Sequence, residues 1–131
     1  MVNKSIGYNS QLKSVVGDFN DDNYPDIVVA NYDNNRTFYS TGENSFPYSV
    51  TRHDLNKDNQ TDVIVANSGT NNVFVFYEYD NGTFAEPLSY FMGYESHPSS
   101  VVVSDFGDDG RIDIAVANYG TDNVEILFQS Y

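Results

Sequence analysis

The sequence contains no cysteine, which excludes disulfides and thiolate metal sites as sources of its stability. Basic residues are scarce: 6 Lys and Arg stand against 19 Asp and Glu, a formal net charge of −13. Nucleic acid and anionic membrane surfaces are bound by clustered cations that displace counterions, so neither is expected as a partner. No run of 18 apolar residues occurs, so membrane insertion through a helical span is not expected. The opening Met1-Val2-Asn3-Lys4-Ser5 lacks the apolar stretch of a signal peptide, so any export signal is expected to have been removed or never to have existed. Catalytic signatures are missing as well. There is no Gly-x-Ser-x-Gly elbow, no phosphate-binding glycine loop and no His-Glu-x-x-His helix. The two histidines, His53 and His97, do not recur at matching places in the repeats below, and no catalytic residue is assigned.

What is present is apolar, aromatic and repetitive. Hydrophobic residues make up 40% of the 131, with 11 Tyr and 9 Phe, enough for one domain with a packed core. Eleven of the 19 acids fall in three windows, Asp18 to Asp26, Asp54 to Asp62 and Asp105 to Asp113. Each window opens a repeat: Asp18-Phe-Asn-Asp-Asp-Asn-Tyr-Pro-Asp-Ile-Val-Val-Ala-Asn31, Asp54-Leu-Asn-Lys-Asp-Asn-Gln-Thr-Asp-Val-Ile-Val-Ala-Asn67 and Asp105-Phe-Gly-Asp-Asp-Gly-Arg-Ile-Asp-Ile-Ala-Val-Ala-Asn118. The second and third begin 51 residues apart, the first and second only 36. The shorter first unit passes from Asn35 directly to Arg36-Thr-Phe-Tyr-Ser-Thr-Gly42, which aligns with Leu88-Ser-Tyr-Phe-Met-Gly93. It has therefore lost a strand and a hairpin turn.

A complete unit predicts four strands. Ser100 to Ser104 and Asp113 to Asn118 are buried strands, and Val124 to Phe128, like Val73 to Tyr77, is a third. The fourth runs from about Phe84 to Phe91, after Asp80-Asn81-Gly82-Thr83, whose Asn-Gly is a strong hairpin signal. No stretch has helical periodicity. Four antiparallel strands recurring every 40 to 50 residues or so make a β-propeller blade. The expected fold is all-β, with blade units at about 8–42 (truncated), 43–93 and 94–131. Three blades cannot close a ring alone, and open blades expose strand edges. Lys4-Ser5-Ile6-Gly7 matches the tail of a fourth strand. A strand at about 3–7 of one copy is therefore expected to complete the last blade of another, closing the ring by self-association as a homodimer or larger ring.

The acidic windows carry the chemistry. Counted from the first Asp, oxygen side chains recur at positions one, three, five and nine: Asp18, Asn20, Asp22 and Asp26, then Asp54, Asn56, Asp58 and Asp62. Position seven, Tyr24, Gln60 or Arg111, offers its backbone carbonyl. Position six is Asn23, Asn59 or Gly110, types that tolerate a left-handed turn. A hard cation such as Ca²⁺ takes six to eight oxygens, and a tight loop with alternating acids supplies them. No thiol or His falls in these windows, so soft metals are not expected. In the third window Asp105, Asp109 and Asp113 remain, but Gly107 replaces the Asn at position three and Arg111 lies close by, so weaker binding is expected there. The bland alternative is three Asp- and Asn-rich turns without metal. Three loops in register, whose carboxylates would repel one another at close range, favour up to three calcium sites.

The loop motif with its following Ile27-Val28-Val29-Ala30-Asn31 resembles the FG-GAP or VCBS repeat, over essentially Lys4 to Tyr131. The resemblance implies calcium ligands at Asp18, Asn20, Asp22, Asp26 and their counterparts, and a propeller, typically seven-bladed. The family includes the blades of integrin α-chains, several fungal lectins and many surface proteins. It implies a non-catalytic extracellular or cell-surface module for adhesion, binding or scaffolding. A lectin that holds carbohydrate between blades, and an isolated or engineered fragment of a longer propeller, are the alternatives. Glycan or protein ligands would be met by exposed tyrosines such as Tyr24, Tyr32 and Tyr119.

Overall fold

The computed structural model describes residues 13–17, 26–30, 36–79 and 83–130. Among them the chain forms strands only: β1 Lys13–Gly17, β2 Asp26–Ala30, β3 Arg36–Ser40, β4 Pro47–His53, β5 Asp62–Asn67, β6 Asn72–Phe76, β7 Leu88–Phe91, β8 Pro98–Ser104, β9 Asp113–Asn118 and β10 Asn123–Leu127. They make three antiparallel sheets in which strand order follows chain order: β1-β2-β3, β4-β5-β6-β7 and β8-β9-β10. The all-β organisation in antiparallel sheets of three and four strands is present. The completing strand expected at about 3–7 lies outside the described residues.

Register repeats as faithfully as sequence. The residue before each acidic window faces the Asp at its ninth position: Gly17 opposite Asp26, His53 opposite Asp62, Ser104 opposite Asp113. Both complete inner pairs also carry a register shift at their start, between Pro47 and Ser49 and between Pro98 and Ser100. The proline cannot donate to the ladder, so it suits the first residue of a strand.

Two strands differ from the sequence reading. Arg36–Ser40 aligns in sequence with an outer fourth strand, yet β3 pairs directly with β2, from Asp26 opposite Ser40 to Ala30 opposite Arg36. It takes the third seat, as β6 does against β5, because the segment that fills that seat elsewhere has been lost. The fourth strand is also shorter than Phe84 to Phe91. Only an isolated bridge joins Glu78 to Phe84, and β7 begins at Leu88, just after Pro87 interrupts the donors.

The β5–β6 and β9–β10 turns explain the repeated Gly-Thr-x-Asn. In the middle sheet Asn72 Oδ1 accepts from Asn67 Nδ2 at 3.1 Å and from Thr70 Oγ1 at 2.8 Å. In the last, Asn123 Oδ1 accepts from Asn118 Nδ2 at 3.0 Å and Thr121 Oγ1 at 2.9 Å. The link between sheets folds over each turn. Gly69 N donates to Ser45 O and Gly120 N to Ser96 O, both at 2.8 Å. A Cβ at either glycine would collide with the backbone carbonyl of Asn44 or Glu95, so this close approach requires glycine.

Strand β5 is buried along its whole length. Alternation sends its side chains to two cores. Val63 and Val65 join Phe76 against Tyr39, Val50 and Phe84 on the side of the first sheet. Ile64 and Ala66 join Leu55, Val73, Val75 and Met92 against Val101, Ile114 and Val116 of the last sheet. The sheets thus stack face to face. Tyr39 Oη accepts from Phe84 N at 3.3 Å, and Ser49 Oγ accepts from Val101 N at 3.3 Å between inner strands.

Candidate metal centre

The second and third acidic windows connect the two inner strands of their sheets, β4 to β5 and β8 to β9. Of the first window, Asp18, Asn20, Asp22 and Tyr24 lie outside the described residues, and Asp26 begins β2 opposite Gly17.

Both described loops coil around their first aspartate. Asp54 accepts from Asp58 N at 3.1 Å and Asn59 N at 2.9 Å, one on each carboxylate oxygen. Asp105 accepts from Asp109 N at 3.1 Å and Gly110 N at 2.7 Å in the same way. The fifth-position carboxylate then accepts from position seven: Asp58 from Gln60 N at 2.8 Å, Asp109 from Arg111 N at 2.9 Å. Position six is left-handed as the residue types imply, with φ 66° at Asn59 and 79° at Gly110. Position four is left-handed too, with φ 62° at Lys57 and 53° at Asp108. Lys57 gives no hint of this in the sequence, whereas Asp108 is a type that tolerates it.

The loops part company at position three. Asn56 Oδ1 accepts from Asp58 N at 3.2 Å and its Nδ2 donates to Asp58 Oδ2 at 2.9 Å. Gly107 can do neither. There the Arg111 guanidinium lies 3.6 Å from Asp109 Oδ2, so the fifth-position carboxylate meets a charged side chain where in the second loop it meets an amide.

The ninth aspartates are anchored inside. Asp62 is fully buried; its Oδ2 accepts from Leu55 N at 2.8 Å and its Oδ1 from Glu78 N at 3.0 Å. Asp113 accepts from Phe106 N and Gly107 N, each at 3.1 Å, and from Gln129 N at 3.0 Å. Each ties the start of its loop to the segment after the third strand. Glu78 adds to this, accepting from Thr61 N at 3.1 Å through Oε2. Sequence reasoning missed Glu78 and Gln129; the available signal was a long polar residue directly after the aromatic Tyr77 and Phe128, 51 residues apart. Burial pushes the Asp62 carboxyl up to about 6, with the negative charges of Asp58 and Asp54 adding to the rise against the opposing hydrogen bonds from Leu55 and Glu78.

Among the described residues no three His, Cys, Asp or Glu side chains converge as a ready metal cluster. The donors nevertheless fit a hard cation by type. Every side chain at positions one, three, five and nine of the second loop offers oxygen, and each carboxylate oxygen held by an amide keeps a further lone pair. Neither histidine joins these loops. His97 instead clasps the β5–β6 turn, with its backbone N–H donating to Asn71 Oδ1 and its ring Nδ1 against Ser68 O, both at 3.0 Å.

Three sheets built as strand meanders, the middle and last stacked face to face and each with the same acidic loop between its inner strands, are the arrangement of a β-propeller-type repeat. Residues 54–116 match the family model of the FG-GAP-like repeat, so this segment is similar to repeats of that kind. Searches of curated proteins and of solved structures find no match. Repeats of this family are generally non-catalytic and are typically found in extracellular proteins.

Proposed function

We propose that the chain is a non-catalytic, calcium-binding propeller module that serves extracellular adhesion, binding or scaffolding. The observation that carries this reading is Asp62. A fully buried carboxylate sits close enough to Asp54 and Asp58 for their charges to oppose its ionisation. A divalent cation held by Asp54, Asn56, Asp58, the Gln60 carbonyl and Asp62 would turn that opposition into shared attraction. The cation would lock the β4–β5 connection, and equivalent sets would serve Asp105, Asp109, Arg111 (through its carbonyl) and Asp113, and the first window. Extracellular modules bind calcium with constants of about 10⁻⁴ to 10⁻³ M, which suits a calcium-rich compartment.

Binding to the native loops alone stabilises the fold by about 2.7 kcal/mol per site at a free concentration 100 times the dissociation constant. Thermal unfolding in millimolar calcium and in excess chelator tests this. A melting temperature that falls on chelation supports the reading, and superimposable curves dismiss it. A lectin is the second reading, favoured by aromatics that stand in solvent: Tyr48, Tyr94 and Tyr119, with Phe91 edge-on to Tyr94 at 5.2 Å. Such rings stack on sugar faces. A glycan panel on the calcium-loaded chain separates the two, since a module that binds protein partners alone gives no saturable glycan signal.

A further inference from the structure

The middle and last sheets put apolar residues at the same positions on the face directed along the stack, but only one of those faces is covered. In the middle sheet, Ile64 pairs with Val75 and Ala66 with Val73, and all four are buried against the last sheet. In the last sheet the same register pairs Ala115 with Ile126 and Ala117 with Val124. Val124 is 66% exposed where Val73 is 0%, and Ile126 40% where Val75 is 0%. Phe106 is 43% exposed where Leu55 is 0%. Val102 and Phe128 complete the patch, at 54% and 62%. A contiguous apolar face of this kind on a soluble chain marks an interaction site.

We propose that this face binds a second copy of the chain, which docks its first sheet (β1–β3) there as the last sheet docks on the middle one. The occupant follows from the repeat: within this chain, what covers each such face is another sheet of the same unit, entering with its inner strands. The first sheet offers the complementary surface. Its central strand, paired with β1 on one edge and β3 on the other, reads Ile27-Val28-Val29-Ala30, an apolar run like Val63-Ile64-Val65-Ala66 of β5. The contact is head-to-tail, so repetition closes a ring or runs on as an open filament. It rests on the blade reading and not on calcium binding: mass reports on the face, and the melting response to calcium reports on the loops.

The test is native mass by light scattering over a dilution series, in calcium and in chelator. The wild-type chain is expected at a multiple of its 14.7 kDa. The double variant Val124→Asp/Ile126→Asp, altered only at exposed positions, is expected to fall to the single-chain mass with an unchanged circular dichroism spectrum. Tyr94→Asp, on the exposed link before β8, is expected to leave the mass of the wild type. A monomeric wild type, or a double variant that assembles like it, overturns the proposal. A mixing experiment checks the direction. Immobilised double variant keeps its first sheet and is expected to retain free wild-type chain, whereas failure to retain it overturns head-to-tail docking.

Discussion

The middle and last sheets are near-copies in sequence and register, yet they experience different environments. β5 has a sheet on each side and is buried from Asp62 to Asn67; β9, its counterpart, has a sheet on one side among the described residues. The same residue type therefore has a different weight in each. In stacked repeats stability resides as much in the interfaces between units as in the units themselves. The comparison is sharpest at position two of the loops. Leu55 is sealed in the core between middle and last sheets, while Phe106 meets solvent. Leu55→Ala is expected to cost about 2–5 kcal/mol, the usual range for a buried leucine. Phe106→Ala is expected to cost less than about 1 kcal/mol in the single chain, although the larger side chain is being removed. Urea unfolding of both substitutions in the single-chain Val124→Asp/Ile126→Asp background checks this, and equal losses would break the comparison.

The next effect concerns proton uptake. The Asp62 carboxyl is raised from 3.8 to about 6 in the folded chain, so the native state holds its proton more tightly than the unfolded one. Its contribution is therefore complete below about pH 4 and is lost as pH rises through 6. In the calcium-free chain this amounts to up to about 3 kcal/mol between those values. Denaturant titrations across that range are expected to show stability falling with pH, and Asp62→Asn is expected to flatten the slope. Saturating calcium favours the ionised carboxylate and is expected to flatten it as well. A wild-type slope unaffected by calcium would separate Asp62 from any cation site.

Most of the architecture was legible because it is written three times. Strand positions, the left-handed sixth residue and the blade grouping follow from matching Asp54–Asn67 to Asp105–Asn118. Three features were not legible, each for a physical reason. The seat of β3 depends on which partner edge is vacant once a strand is missing, a property of the sheet and not of Arg36–Ser40. The ninth aspartate reads as one more oxygen donor in the sequence, but its backbone partners Leu55, Glu78 and Gln129 come from segments 7 to 16 residues away. The exposure of Val124 and Ile126 cannot be read from alternation, which is the same as at Val73 and Val75. Periodicity tells which face is apolar; only the stack tells whether that face is covered.

The smallest expected effect distinguishes the two loops themselves. In the second, the amide of Asn56 donates to Asp58; in the third, the Arg111 guanidinium stands beside Asp109. A neutral amide also presents an oxygen to an arriving cation, whereas the guanidinium presents only like charge. Arg111→Ala is therefore expected to tighten calcium binding at the third loop, while Asn56→Ala weakens it at the second. The Arg111–Asp109 pair is largely solvated, with both side chains over 40% exposed, so its weight is that of a surface pair, roughly 0.5–1 kcal/mol. That converts to about a two- to fivefold change in affinity. Calorimetric titration of the two variants reads it directly. If Arg111→Ala weakens binding, the arginine supports the loop more than its charge opposes the cation, and the third loop is built around its arginine.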